Sequence, residues 1–111
     1  MTDLEKLKLM TAWESDPPLS EPELEQLLAD AALLDANGLT PLNEEWTPTY
    51  DLNAAASTGW LIKAARASTL IEVDPPGSGI VTSKVFDNCR AMARVFGGKK
   101  AIALSIRRIY T

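Results

Sequence analysis

The spacing of apolar residues along the chain predicts a mainly α-helical protein. The clearest helix is expected over residues 21–36, because its apolar residues recur at helical spacing. Ser20 and Glu23 have the spacing of a capping box at its start, and Asn37-Gly38 predicts a left-handed turn at its end. The apolar stripe of this predicted helix consists of Leu24, Leu27, Leu28, Ala31 and Leu34.

A longer helix is expected over residues 48–73, opened by Thr47 as cap and Pro48 in the first turn. Its many small residues would let other helices approach closely, which predicts a central position in a bundle. Lys63 and Arg66 are expected to be exposed or to face a partner. One face of this helix combines Asn53, Ala56, Trp60, Ala64, Ala67 and Ile71.

Two further helices complete the predicted bundle. A weak one is expected over residues 3–14, stopped by Asp16-Pro17-Pro18. The other would begin at Ser83 and end at Gly97-Gly98, with Arg90 and Arg94 near its C-terminus, where positive charge is favoured. The fold class is therefore a small bundle of about four helices around a long central helix. The predicted core residues are Leu24, Leu27, Leu28, Trp60, Ala64, Ile71, Val85, Cys89, Met92 and Phe96.

The C-terminal segment has a different pattern. Ile102, Leu104 and Ile106 alternate with small residues, which is the period of a β-strand. A strand cannot satisfy its own backbone hydrogen bonds, so it must either pair with residues 80–82 or add to a sheet of another chain. We therefore divide the chain into a helical domain over residues 1–98 and an extended C-terminal arm over residues 99–111.

Charge is distributed unevenly along the 111 residues. Residues 1–59 have a net charge of −10 and residues 60–111 a net charge of +6, so the total of −4 hides a strong division. If the halves lie on opposite sides of the fold, copies could associate head to tail and close into a ring. Alternatively, the halves pack on each other and their charges cancel internally.

Composition excludes several kinds of chemistry. The chain has no histidine and one cysteine, which excludes Ser-His and Cys-His nucleophilic sites, imidazole metal sites and an intrachain disulfide. Residues 74–84 do not fit a phosphate-binding loop, and Glu44, Glu45 and Asp51 are explained by a solvated loop and a helix start. Cys89 lies on an apolar stripe and is expected to be a buried thiol. We expect no enzyme activity, cofactor or bound metal.

No segment is expected to enter a membrane. The N-terminal residues are charged and lack the apolar core of a signal peptide. No apolar run approaches the roughly 20 residues that a membrane-spanning helix needs.

One segment resembles a known family. The run W-T-P-T-Y-D-L-N over residues 46–53, followed by Ala54-Ala55-Ala56 and by Gly59-Trp60 with Lys63-Ala64, is similar to the small head–tail connector proteins (adaptor or head-completion proteins) of long-tailed bacteriophages. In that family this run opens a long alanine-rich helix. The similarity covers roughly residues 20–96, and related architectures occur in prophage and gene-transfer particles.

The resemblance implies a structural virion protein at the head–tail junction, made in the cytoplasm of the bacterial host. It implies a dodecameric ring of copies beneath the portal ring, which extends the DNA channel and receives a stopper or tail-side neck protein. DNA would pass through the channel without specific binding. The C-terminal arm would contact the portal or a neighbouring subunit through Ile102, Leu104, Ile106, Arg107, Arg108, Ile109 and Tyr110.

A small helical DNA-binding or regulatory protein is the alternative, because short helices joined by turns are also typical of helix-turn-helix proteins. The candidate recognition helix would be residues 84–94. Its polar face mixes Asp87 and Asn88 with Lys84, Arg90 and Arg94.

Overall fold

The computed structural model describes the backbone over residues 1–73 and 79–110, and the side chains over residues 1–69 and 84–99. Four helices account for most of it, which confirms the predicted mainly helical class. This part of the chain contains no β-strand, only one isolated antiparallel bridge between Ala32 and Tyr50. The helices are α1 (Asp3–Thr11), α2 (Glu21–Asp30), α3 (Leu52–Val73) and α4 (Gly79–Tyr110).

Helix α1 ends at Thr11, three residues earlier than predicted. Thr2 and Glu5 form a capping box at its start. At its end Ala12 takes a left-handed conformation, with φ of 45°, and its N–H donates back to the last turn. The chain then turns toward Pro17 and Leu19, which are both buried.

Helix α2 begins as predicted and ends earlier than predicted. The reciprocal hydrogen bonds of the Ser20–Glu23 capping box are both present. The predicted end at Ala36 is wrong, since α2 ends at Asp30. Residues 31–33 pair instead with residues 49–51, through Leu33 N–H to Thr49 O at 2.8 Å and Asp51 N–H to Ala31 O at 2.8 Å. These backbone hydrogen bonds take the place of a longer helix, although the apolar residues continue at helical spacing. Leu34 of the predicted stripe is left 47% exposed.

Helix α3 begins four residues later than predicted. Asp51, not Thr47, accepts a hydrogen bond from the backbone N–H of Ala54 at 3.0 Å, so its carboxylate caps the helix. The predicted central position of this helix is confirmed, because α3 contacts each of the other three helices.

Helix α4 packs antiparallel along α3. Ser57 near the start of α3 donates to the carbonyl oxygen of Ala93 at 2.9 Å, whereas Trp60 and Ala64 pack with Cys89. The predicted start at Ser83 and end at Gly97-Gly98 are wrong, since the helix begins at Gly79 and continues through both glycines. Gly97 allows a close approach, because an added Cβ would lie 3.3 Å from the Ser57 hydroxyl. Arg90 and Arg94 therefore lie within the helix rather than near its end.

The predicted C-terminal arm is only partly covered by the structure. Helix α4 is assigned through Tyr110, but the described side chains end at Lys99. The arm and its contacts thus lie outside the fully described residues, and the extended strand stays a prediction.

The core consists of two clusters that meet on α3. The first joins α1, α2 and the start of α3, and the second joins Trp60 and Ala64 to α4. Among the residues predicted for the core, Ile71 lies outside the described side chains. Leu24, Leu27, Trp60, Ala64 and Cys89 are buried. Leu28, Val85, Met92 and Phe96 are half-buried and pack against these clusters.

Candidate functional site

The residues predicted for portal or inter-subunit contact cannot be placed, because their side chains lie outside the described part of the chain. These are Ile102, Leu104, Ile106, Arg107, Arg108, Ile109 and Tyr110. The candidate site is therefore sought among the other polar and exposed residues, beginning with the segment that carries the family resemblance.

Trp60 and Lys63 of that segment hold the C-terminal end of α1 against α3. The Trp60 indole Nε1–H donates to the carbonyl oxygen of Met10 at 3.0 Å. The Lys63 side chain is fully buried, and its Nζ lies within hydrogen-bonding distance of Thr11 O, Ala12 O, Ser15 O and Ser15 Oγ, at 2.6–3.2 Å. The ammonium also lies 4.7 Å from the centre of the Trp60 ring. The expectation that Lys63 would be exposed is wrong.

The position of Lys63 follows from the unpaired carbonyl groups at a helix end. The last carbonyls of a helix lack intrahelical partners and carry the negative end of its dipole, so a cation is favoured there. Burial lowers the pKa of Lys63 from 10.5, while charge interactions with Cys89 and Asp16 act in the opposite direction. Three N–H donors aimed at backbone oxygens compensate for much of this loss of solvation.

Gly59 and Thr11 complete this contact, which we call the α1–α3 seam (Thr11, Gly59, Trp60 and Lys63). A Cβ on Gly59 would lie 2.9 Å from the Thr11 methyl group and 3.4 Å from a Leu19 methyl group. Thr11 is itself fully buried and donates its hydroxyl to Leu7 O at 2.9 Å. Glycine is thus required for α1 to lie this close to α3.

Arg66, one turn after Lys63, fastens the same segment from outside. Its guanidinium donates to Pro18 O at 2.7 Å and pairs with Glu23 of α2. This ion pair, together with the Ser20 cap, lowers the pKa of Glu23 to about 2. Arg66 remains partly exposed, and its partner lies within the chain.

Trp46 and Tyr50 anchor the loop between α2 and α3. The Trp46 indole donates to Leu33 O at 2.9 Å, and its ring meets Tyr50 edge-on at 5.7 Å. Asp35 is buried and accepts three backbone N–H groups, from Asn37, Leu39 and Thr47, at 2.8–3.0 Å. These bonds lower the pKa of Asp35, the Thr47 bond most strongly. Sequence reasoning missed Asp35, although an aspartate before Asn-Gly is a typical turn signal.

Residues 40–46 project from the molecule between these anchors, and we call them the acidic loop. Two successive turns form it, closed by Asn43 N–H to Thr40 O at 2.9 Å and Trp46 N–H to Asn43 O at 3.0 Å. Leu42 at its tip is 97% exposed, and Glu44 and Glu45 beside it are exposed too. Leu42 is therefore held outward on a doubly anchored loop and takes no part in the core.

A shallow depression lies where α3 meets the outer side of α4. It is lined by Ser57, Leu61, Arg90, Ala93 and Arg94, has a volume of about 240 Å³, and is called here the Arg groove. Leu61 is 54% exposed within it. Sequence reasoning missed Leu61, although its place next to Trp60 puts it off the predicted core face. The apolar floor and two guanidinium groups suit an acidic partner with an apolar side chain.

The described residues provide little for covalent or metal chemistry. Cys89 is buried, burial raises the pKa of its thiol, and Lys63 is enclosed, so neither side chain is accessible to a substrate. Within residues 1–69 and 84–99, no three acidic or thiol side chains are grouped as a metal site. In the same part of the chain, no helix combines the length and apolar character that crossing a membrane requires.

Comparison with known proteins found no matching family model, no matching curated protein and no matching solved structure. The resemblance to phage connectors therefore rests on the residues of this chain alone.

Proposed function

We propose that this chain is a structural subunit of the head–tail connector of a tailed bacteriophage or a related particle. Copies would form a ring beneath the portal, continue the DNA channel and receive the next neck protein. In this proposal the protein acts in the virion, by binding other proteins and not by catalysis.

The observation that carries the proposal is the role of the segment that resembles connectors. Trp46, Trp60 and Lys63 each donate to backbone oxygens of other parts of the chain, and Asp51 caps the start of α3. These residues therefore build the scaffold. The resemblance of this scaffold-building segment to connectors is a reason to expect the same assembly, with contacts made by the surfaces that the scaffold presents.

The packing of α3 and α4 gives less support to the alternative of sequence-specific DNA binding. A helix-turn-helix unit sets two short helices at a steep angle, so that one enters the major groove. Here α3 and α4 lie antiparallel along each other, and exposed Leu61 and Val95 accompany Arg90 and Arg94. Apolar and basic residues mixed in this way suit a protein partner better than DNA phosphates.

Quantitative mass spectrometry of purified tailed particles from the source cells tests the proposal. We expect about one copy of this chain per portal subunit, as for two stacked rings of matching symmetry. An abundant host enzyme measured in the same preparation controls for contamination. A chain that is absent, or present only at the level of that host enzyme, contradicts the connector function. Binding to duplex DNA that weakens steeply with salt would then favour the alternative.

A further inference from the structure

We propose that the acidic loop of one copy docks into the Arg groove of the next copy. The proposal rests on the proposed function in so far as a ring of copies is the assembly that such a contact would build. It names the contact surface and the residues on both sides.

The acidic loop has the form of a preorganised ligand. Both of its ends are tied to Asp35, through Leu39 N–H at 3.0 Å and Thr47 N–H at 2.9 Å. Glu45 N–H donates to the Asn43 side chain at 2.8 Å, which fixes the second turn. Leu42 is thus exposed at a defined position, and a partner that binds it has little loop entropy to remove.

The Arg groove has the complementary form. Its floor is apolar, from Leu61 and Ala93, and Arg90 and Arg94 line it one helical turn apart. The Arg90 guanidinium lies 5.6 Å from the centre of the Phe86 ring, which supports it beside the groove. The apolar Leu42, followed two and three residues later by the carboxylates of Glu44 and Glu45, matches this arrangement.

Charge complementarity decides the occupant. Among the described residues, ion pairs join Lys8 to Glu21 and Arg66 to Glu23. The first pair joins α1 to α2 and the second joins α3 to α2, and neither draws on the acidic loop or the Arg groove. Leu42, being 97% exposed, does not occupy the groove of its own chain. Each copy therefore offers one loop and one groove, and such a head-to-tail contact forms rings when the rotation closes.

Charge reversal on each side provides the test. The loop variant carries Glu44→Arg and Glu45→Arg, and the groove variant carries Arg90→Glu and Arg94→Glu. Sedimentation of the full chain at low salt and high concentration measures self-association. We expect each variant to associate at least about tenfold more weakly than the wild type, because like charges then face each other. Two double reversals at exposed positions, Glu14→Arg with Glu25→Arg and Lys6→Glu with Lys84→Glu, match the changes in net charge of the loop and groove variants and should associate as the wild type does.

Mixing distinguishes this contact from a general charge effect. In an equimolar mixture, the intact loop of the groove variant meets the intact groove of the loop variant, and the reversed loop meets the reversed groove, so the mixture should assemble again with the two variants alternating. A chain with all four reversals should assemble again. Single variants that assemble like the wild type, or a mixture that stays monomeric while the wild type assembles, would overturn the proposal. Loss with the groove variant alone would also overturn it, since another partner would then occupy the groove.

Cysteine cross-linking keeps the proposal testable if the wild type sediments as a monomer. A mixture of Leu42→Cys and Leu61→Cys chains should form a mixed disulfide at least about tenfold faster than Leu42→Cys with Leu9→Cys, because docking raises the local concentration of the pair. Leu9 is 69% exposed on α1 and serves as the control. Equal rates contradict the contact. If the chain is found in particles but the two cross-linking rates are equal, the connector function stands and this contact is wrong. If cross-linking is fast but the chain is absent from particles, the contact stands and the connector function is wrong.

Discussion

The two sides of α3 are built in opposite ways. On the α1–α3 seam, Lys63 and Thr11 are fully buried, and an added Cβ at Gly59 would meet a methyl group at 2.9 Å. At the Arg groove, a few residues away, Leu61 is half exposed and a depression of about 240 Å³ stays open to solvent. One helix thus carries a closed contact with its own chain and an open surface.

In our account, this difference separates the residues that carry the resemblance from the residues that would carry assembly. Most of the connector-like segment serves the seam and the loop anchors, so similarity there reports the scaffold. Assembly, in our account, depends on exposed residues that are not among the motif residues carrying the resemblance, namely Leu42, Leu61, Arg90 and Arg94. Changes in the seam should therefore alter stability, and changes in the Arg groove should alter association.

The largest effect is expected from Trp60→Ala. It removes a large buried side chain and the hydrogen bond to Met10 O, and should lower the free energy of unfolding by about 3–5 kcal/mol. Urea denaturation followed by circular dichroism measures it. The control is Leu61→Ala, the exposed neighbour, which should cost far less. A loss well below 1 kcal/mol for Trp60→Ala would mean that the seam is not a closed contact.

Next in size is Lys63→Met, which keeps the aliphatic stem and removes the ammonium. Backbone oxygens at the end of α1 lose their donor, so we expect a loss of about 1.5–3 kcal/mol in unfolding free energy. Lys6→Met, on an exposed position of α1, should stay within about 0.5 kcal/mol. Equal effects of the two substitutions would show that the buried ammonium contributes nothing specific.

Alanine substitutions of two glycines should change the stability of the protein in opposite directions. Gly59→Ala should destabilise by about 1–3 kcal/mol, because the new methyl group meets Thr11. Gly98→Ala lies in α4 with no neighbouring atom within 4 Å, and should stabilise by up to about 1 kcal/mol through helix propensity. Thermal unfolding of both variants measures this pair of effects. Destabilisation by Gly98→Ala would contradict the course of α4 through both glycines.

The smallest expected effect is the loss of stability at acidic pH that protonation of Glu23 causes. The folded pKa of Glu23, about 2, lies below the ordinary 4.5, so its contribution is complete above pH 4.5 and is lost as the pH falls toward 2. Because the pair with Arg66 is partly exposed, this contribution should not exceed about 1 kcal/mol. Unfolding free energies of Glu23→Gln at pH 7 and pH 3 should differ less than those of the wild type. Glu25→Gln, exposed on the same helix, is the control.

Local signals in the sequence predicted much of the fold. The Ser20–Glu23 capping box and the small residues of α3 are local, and they correctly indicated the start of α2 and the central helix. The end of α2 depends on pairing between residues 31–33 and 49–51, which no local pattern contains. The two glycines at 97 and 98 predict a helix end, but α4 continues through them. Gly97 packs close to Ser57 of α3, and this contact between distant residues is not visible in the local sequence.

The candidate site was harder to predict, because exposure depends on tertiary contacts. A lysine is ordinarily assigned to the surface, and only the end of α1 explains why Lys63 is buried. Leu42 and Leu61 are ordinarily assigned to cores, and only the structure shows them exposed. Residue type alone gave the wrong expectation for Lys63 and gave none for Leu42 or Leu61.

The measurement that tests the central claim most directly is the incorporation of the groove variant, Arg90→Glu with Arg94→Glu, into tailed particles. The variant replaces the chain in producing cells, and mass spectrometry gives its ratio to the portal protein. Our account predicts a variant that folds with an unchanged unfolding midpoint yet is missing from purified particles, while Lys6→Met is incorporated normally. Incorporation of the groove variant at the wild-type level would contradict the claim that this open surface, and not the seam, carries assembly.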